Sequence, residues 1–478
     1  RIDILSEFDF IYKESTGFRV SAAGWYDQRY DNHTLRGHPA SAAFFTGGKY
    51  PDEVSPYYNG PSGEFLDAFV FHQFNFGDVP VDVKLGQHTV YWGETIFSLG
   101  DGVSAGQSYA DLRKALSTPG IEAKELFKPL NQASFSAAIT DRLAVMGQYF
   151  FDWKPDQFPL GGTFYSPADF LIYEGTSAIG PFTWPGLEKN RLDKSGDWGV
   201  GAKWRPQWLD GSAGFYYREY TPKNAVVLAT FPTAGGAFPA FTRGLLADPD
   251  LPRTKLYGFS LAKHLFRISW GLDITYRQDA NLNYRTFSQP TTASGWMPYG
   301  DIYTATLNMI AYQGNTALYD SATLTAELDY DALDKVTHDP QNLFNGRANC
   351  RLTPAPANAI GPYKGYYGCA TGQSYGINVL YEPKWFQVFQ GVDISMPVFY
   401  SIGLHGNSMI PALAQNEGQG SYYIGVTADV GNQYNFSLKY IGSNYKRRML
   451  STGIPQSNAS LGDYSDRGRI SFTAKATW

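Results

Sequence analysis

Along much of the chain, apolar and polar residues alternate one for one. In residues 266–277 the apolar set is Phe266, Ile268, Trp270, Leu272, Ile274 and Tyr276, with Arg267, Ser269, Gly271, Asp273, Thr275 and Arg277 between them. The same alternation runs through 132–140, 321–330 and 422–430. It returns in the last residues, where Ile470, Phe472, Ala474, Ala476 and Trp478 interleave with Arg469, Ser471, Thr473, Lys475 and Thr477. A period of two puts successive side chains on opposite faces, so each stretch predicts a strand with one apolar and one polar face. Each is about ten residues long, the length a tilted strand needs to cross a bilayer.

The connections sort into two alternating classes. Short turns are expected near 14–17, 77–80, 140–142, 207–211, 262–264, 314–315, 382–384 and 431–433, and Gly314-Asn315 is a hairpin signal because both residues tolerate positive φ. Long connections are expected at 28–63, 93–131, 153–196, 221–253, 279–300, 331–372, 403–418 and 446–466. A soluble sandwich has no reason to keep that rule. A transmembrane barrel does, with short turns on one side and long loops on the other. The fold expected is therefore all-β: one antiparallel outer-membrane β-barrel spanning 1–478, of about 16–18 strands. Counting hairpins gives about 17, and such barrels have even counts, so one further strand upstream of Arg1 is expected, or one strand has been split by the reading.

Composition narrows the picture. The chain has 478 residues, 17% charged and 16% aromatic. So many aromatics exclude a disordered chain. No run of about 18 apolar residues occurs, which excludes helical spans. A net charge of −5 without a basic stretch argues against nucleic acid as a partner. Cys350 and Cys369 lie in a Pro/Gly-rich segment, and the simplest expectation is a disulfide closing a surface loop in an oxidising compartment. A zinc site would need more ligands than two thiolates. The chain opens on Arg1 with no leader, so an exported protein would have had its signal peptide removed. The C-terminal strand, with Ile470, Phe472 and the aromatic Trp478, resembles the assembly signal of outer-membrane barrels. That resemblance implies the barrel-assembly machinery and outer-membrane lipid as partners.

Longer motifs carry a second resemblance. LGQHTVYWGE (85–94), the segment 111–116 followed by Pro119-Gly120, KELFKPLNQ (124–132), DWKPDQFPLGGTFYSPADF (152–170) and FRVSAAGWYD (18–27) resemble a proteobacterial outer-membrane, porin-like family catalogued as a domain of unknown function. The resemblance implies a barrel with an additional N-terminal strand. It also implies an association with an RND-type inner-membrane exporter and a periplasmic lipoprotein-like carrier, and so movement of hydrophobic or amphipathic molecules. It brings no catalytic residues.

If the apolar faces meet lipid, the opposite faces line the interior. Lys84, His88, Lys203, Arg205, Arg267, Asp273, Arg277, Glu327, Asp329, Asp393, Lys439, Arg469 and Lys475 are the charged and titratable lumen candidates, beside Thr304, Thr306 and Asn308. A hydrated, charge-selective channel and an interior plugged by inserted loops both fit that wall. The 93–131 loop, with short helices at 111–116 and 121–127, is expected to fold inward as a constriction, with an external cap as the alternative. The aromatics of the 153–196 loop read first as rings packed on one another and second as a holder for an apolar ligand; that loop and the apolar stretch 225–241 are the support for a hydrophobic cargo.

An enzyme is the weaker alternative. Ser374 sits in a G-x-S-x-G pattern, but a strand follows it where a hydrolase elbow needs a helix. His405 and Ser408 are close only in a loop, and His72 and His88 lie on neighbouring strands without a nucleophile. No catalytic residue, cofactor or metal ligand is assigned. The function expected is an outer-membrane channel or transporter for hydrophobic or amphipathic small molecules. The alternatives are a general or charge-selective porin, and a structural or adhesive barrel with a closed lumen.

Overall fold

A computed structural model describes residues 1–28, 54–118, 123–166, 176–179, 182–185, 195–224, 250–284, 295–346, 369–411, 416–431, 433–449, 455–458 and 463–477. The strands follow the chain as a meander. They are β1 (Ile2–Tyr12), β2 (Thr16–Tyr26), β3 (Ser62–Phe76), β4 (Val79–His88), β5 (Leu130–Thr140), β6 (Leu143–Phe150), β7 (Trp198–Trp204), β8 (Gly211–Tyr220) and β9 (Thr254–Leu265). There follow β10 (Ile268–Asn281), β11 (Tyr299–Gln313), β12 (Ser321–His338), β13 (Gln373–Phe389), β14 (Val392–Ser395 and Val398–His405), β15 (Gly420–Val430), β16 (Tyr434–Asn444) and β17 (Arg469–Ala476). Each pairs antiparallel with its chain neighbours in one sheet of 18 strand segments. The two segments of β14 both pair with β13 and with β15, so they are one strand broken at Met396-Pro397, and among the described residues the meander has seventeen strands.

Short and long connections alternate throughout, as the pattern predicts. Two turns differ in place. The turn expected at 262–264 is Phe266-Arg267, where both residues have positive φ (55° and 65°). That is the geometry of a two-residue hairpin turn, made here without glycine or asparagine, so the usual signal is missing. The turn expected at 382–384 lies at 390–391, where Gly391 takes φ 72°. Pro383 stays inside β13, opposite Ala322.

The strand faces are inverted relative to a soluble protein. On β10, Asp273, Thr275 and Arg277 are buried while Ile274 is exposed; on β12, Glu327 and Asp331 are buried while Leu328 and Tyr330 are exposed. Large exposed apolar side chains opposite buried charges mark a wall with lipid on one side. Aromatic rings continue from strand to strand near the long-loop ends: Trp198, Tyr217, Tyr257, Tyr276 and Tyr303, with centroids 5.5, 5.1, 6.5 and 4.7 Å apart in turn. Trp208, Phe266, Tyr312 and Phe389 stand exposed at the short-turn ends. Nine residues separate Tyr303 from Tyr312 on β11, about 30 Å along the strand and about 21 Å across a membrane at 45° tilt, close to the height of an outer-membrane apolar band.

The sheet is curled. Residues Glu94–Ser98 touch Lys203 on β7, Asp273 on β10, Glu327 on β12, Asn378 on β13 and Phe399 on β14. Five extended residues span at most about 17 Å. In a flat sheet β7 and β14 would lie about 34 Å apart. The wall therefore wraps around the loop as a barrel. Among the described residues no pairing joins β1 to β17, and with seventeen antiparallel strands these two run in the same direction.

Candidate functional site

The loop 89–129 leaves β4 at His88 and enters the barrel. Three wall residues hold its first part through main-chain groups. Glu327 accepts the N–H groups of Ile96 (2.6 Å), Phe97 (3.0 Å) and Ser98 (2.7 Å). Asp273 accepts the N–H of Glu94 (2.9 Å) and Val103 (3.1 Å) and the hydroxyl of Thr95 (2.8 Å). Arg277 donates to the carbonyls of Gly100 (2.9 Å), Asp101 (2.6 Å) and Gly102 (3.2 Å). These bonds run to charged groups with water excluded, which makes them individually strong. A loop has few partners for its own backbone, and here the wall supplies them.

Arg218, fully buried on β8, donates to the carbonyls of Val103 and Ala105 and lies 5.1 Å over the Tyr220 ring. Trp92 stacks on Tyr216 at 5.7 Å, and Lys203 closes an ion pair with Glu94 at 3.0 Å. Gly102 and Gly93 approach the Asp273 carboxylate so closely that a Cβ on either would collide with it, at 2.8 and 2.2 Å.

The second part of the loop carries helices α1 (Leu112–Ser117) and α2 (Ala123–Leu126) and packs on a charged cluster. Asp111 caps α1, takes a fork from Arg113 at 3.0 and 3.1 Å, and accepts the Tyr57 hydroxyl at 2.9 Å. Lys114 bridges Glu64 and Glu125, and Lys128 pairs with Glu64. Burial pushes the Asp111 carboxyl up, but Arg113, Lys128 and the Tyr57 hydroxyl outweigh it and hold it below the usual range. Burial lowers the Lys128 ammonium against the pull of Asp111 and Glu64. At the loop tip, burial and then the carboxylates of Asp331 and Asp329 raise Asp101 well above its ordinary value. Asp156, in the loop after β6, accepts the Ala110 N–H at 2.7 Å; burial pushes it to about 6 against that bond and the nearby Lys223.

Of the lumen candidates, Asp273, Arg277, Glu327 and Lys203 are brought together by this loop, and Asp329 joins it through Asn378, which donates to both Asp329 (2.7 Å) and Ser98 (3.3 Å). His88 is held by Ser134 at 2.7 Å and the Gly86 carbonyl at 3.0 Å. Lys84, Lys439 and Arg469 lie over rings, of Phe69 at 5.4 Å, Tyr423 at 4.9 Å and Tyr165 at 4.5 Å. Asp393 accepts the Gln387 N–H beside the 390–391 turn, and Lys475 stands opposite Asn435, also near the short-turn end. Arg205 and Arg267 are corrected: they lie just past β7 and in the β9–β10 turn, not on a strand face.

The His pair of the enzyme alternative does not form, since His72 bonds Thr16 at 2.7 Å and His88 bonds Ser134. Ser374 and Ser408 both donate to Asp331, at 3.2 and 2.9 Å. Ile470 and Phe472 are exposed on β17. Trp478, Cys350 and residues 225–241 lie outside the described residues; Cys369 is buried, and no cysteine among the described residues is free. Sequence reasoning missed Arg218 because GFYYREY carries aromatics on both faces, and it missed the Asp111–Lys114–Glu64 cluster because loops have no period to read.

The chain belongs to the family described as protein of unknown function DUF1302, which matches residues 1–478. No curated protein matches it. Among solved structures it is similar to Pseudomonas aeruginosa OpdK with vanillate, at 10% identity and TM-score 0.40 over 95% of this chain and 90% of that one. It is similar to a BenF-like porin from Pseudomonas fluorescens Pf-5, at 9% identity and TM-score 0.37 over 99% and 91%. It is similar also to the outer-membrane channel DcaP of Acinetobacter baumannii, at 7% and 0.37 over 100% and 84%. Overlap at that level says nothing about the solute of this DUF1302 barrel.

Proposed function

We propose that this DUF1302 chain is an outer-membrane channel for small amphipathic solutes, in which the 89–129 loop forms the constriction. The observation that carries it is the fixing of five consecutive loop residues, Glu94–Ser98, by Asp273 and Glu327 on the wall. A barrel of this strand number is wide enough for an aqueous channel, so something inside it must set the bore. Planar-bilayer conductance tests the reading. Small, steady openings that grow when 93–106 is deleted support it; large openings unchanged by the deletion would sink it.

A general porin for polar solutes is the second reading, favoured by the polar inner wall of Thr304, Thr306 and Asn308. A periplasmic carrier and an inner-membrane exporter belong to the proposal as partners, and co-purification after cross-linking in intact cells tests them. The wall itself needs one more element. Unpaired strand edges are not tolerated in lipid. We propose that one strand antiparallel to both β1 and β17 lies between them and brings the count to eighteen.

A further inference from the structure

The inner wall changes character where the anchors of the 89–129 loop stop. On β10 and β12 it meets the loop with buried charges, Asp273, Arg277 and Glu327. On β14 and β15 it carries rings. Tyr400 and Ile424 are exposed on the lipid side there, so their chain neighbours Phe399 and Tyr423 face the lumen. Phe399 and Tyr423 stand directly opposite one another and stack, with centroids 5.2 Å and planes 19° apart. Phe97, whose N–H Glu327 holds, brings another ring to 5.6 Å from Phe399. Lys439 on β16 lies opposite Gly425, where a Cβ would meet the lysine chain at 2.5 Å, and its ammonium sits 4.9 Å over the Tyr423 ring. Leu380 on β13 and Ile441 on β16, the partners of Phe399 and Tyr423, extend the apolar lane to either side.

The side chains of the lane are half-buried, and their open part meets the bore. Apolar surface left facing a hydrated lumen is unfavourable until something apolar covers it. The faces of Tyr423 are taken, by Phe399 on one side and Lys439 on the other, because β14 and β16 flank β15. Side chains stand roughly perpendicular to a sheet, so ring edges are what the stack presents to the bore. A ring edge is the positive end of the aromatic quadrupole and favours the negative face of another ring. The Lys439 ammonium reinforces that edge. Glu382 acts on both Tyr423 and Lys439 and is itself paired with Lys384 at 3.1 Å. Charges of both signs thus stand beside the rings, and the rings define the guest.

We propose that Phe97, Phe399 and Tyr423 form a lane beside the constriction that binds the aromatic rings of passing solutes edge to face. The inference rests on the channel reading and names a solute class for it: planar aromatic amphipaths, preferred over saturated ones of the same size.

Phenyl β-D-glucoside and cyclohexyl β-D-glucoside are the probes, both neutral and alike in size. Saturation-transfer NMR on the full chain in nanodiscs reads their binding, with empty nanodiscs subtracted. The phenyl compound should saturate and bind at least about threefold more tightly than the cyclohexyl one. Phe399→Leu and Tyr423→Leu together should erase the preference, with folding checked by heat-modifiable gel migration. Absence of saturation, equal affinity for the two glucosides in the unaltered barrel, or a preference that survives in the folded double variant would each overturn the assignment. The first two need no variant to fold. The readout needs no current. A barrel that conducts but binds both glucosides alike refutes the lane alone, and one that prefers the phenyl compound without conducting refutes the channel reading alone.

Discussion

Glu327 accepts the main-chain N–H of Ile96 at 2.6 Å across 231 residues of sequence. The next two amides turn to the same carboxylate, so one side chain of β12 fixes the path of a loop that starts on the other side of the barrel.

Glu327→Gln should loosen that loop. The amide offers one acceptor where the carboxylate offers two, and it points a donor at a donor. The expected cost is about 2–3 kcal/mol. Single-channel recording should show larger or noisier openings and faster proteolysis within 93–106. Asp393→Asn, beside the 390–391 turn, should leave both unchanged.

The packing of the loop after β6 should weaken as pH rises. Between about pH 4 and pH 6, buried Asp156 keeps a proton that an opened, solvated loop would have released. The closed arrangement therefore binds more protons, and its stability falls through that window and is lowest above it, by about 3 kcal/mol in all. Asp156→Asn keeps the acceptor for the Ala110 N–H and should flatten the profile. Hydrogen exchange of Ala110 against pH reads it.

The interval between β1 and β17 has a direct test. If a strand lies between them, their backbones are about 10 Å apart, too far for a disulfide. Ile4→Cys and Phe472→Cys together, both on exposed positions, should fail to cross-link under mild oxidation in the protein as it is made in cells. Efficient cross-linking would show direct contact and remove the eighteenth strand.

The disulfide expected from the sequence between Cys350 and Cys369 is checked by thiol titration of the unfolded, unreduced protein. No free thiol is expected, and two on reduction. Two before reduction would exclude the bond.

Strand positions were legible because period-two alternation survives wherever one face meets lipid and the other meets polar groups. Ile274, Leu328, Ile424 and Phe472 are exposed, and Asp273 and Glu327 are buried. Turns were legible where Gly or Asn marks them and misplaced at Phe266-Arg267, where the surrounding hairpin imposes positive φ on residues that seldom adopt it. The lumen candidates were a face, not a site: the pattern lists Lys84 and Asp393 alongside Asp273 without ranking them.

By itself the sequence determined the class of fold, the alternation of long and short connections, and which side of each strand is polar, because these follow from local periodicity. The tertiary structure alone decided which polar residues act together. Asp273, Arg277 and Glu327 matter because the curled wall aims them at one loop. Such meetings depend on strand register and barrel curvature, which arise from the whole ring and have no counterpart in any short stretch of chain.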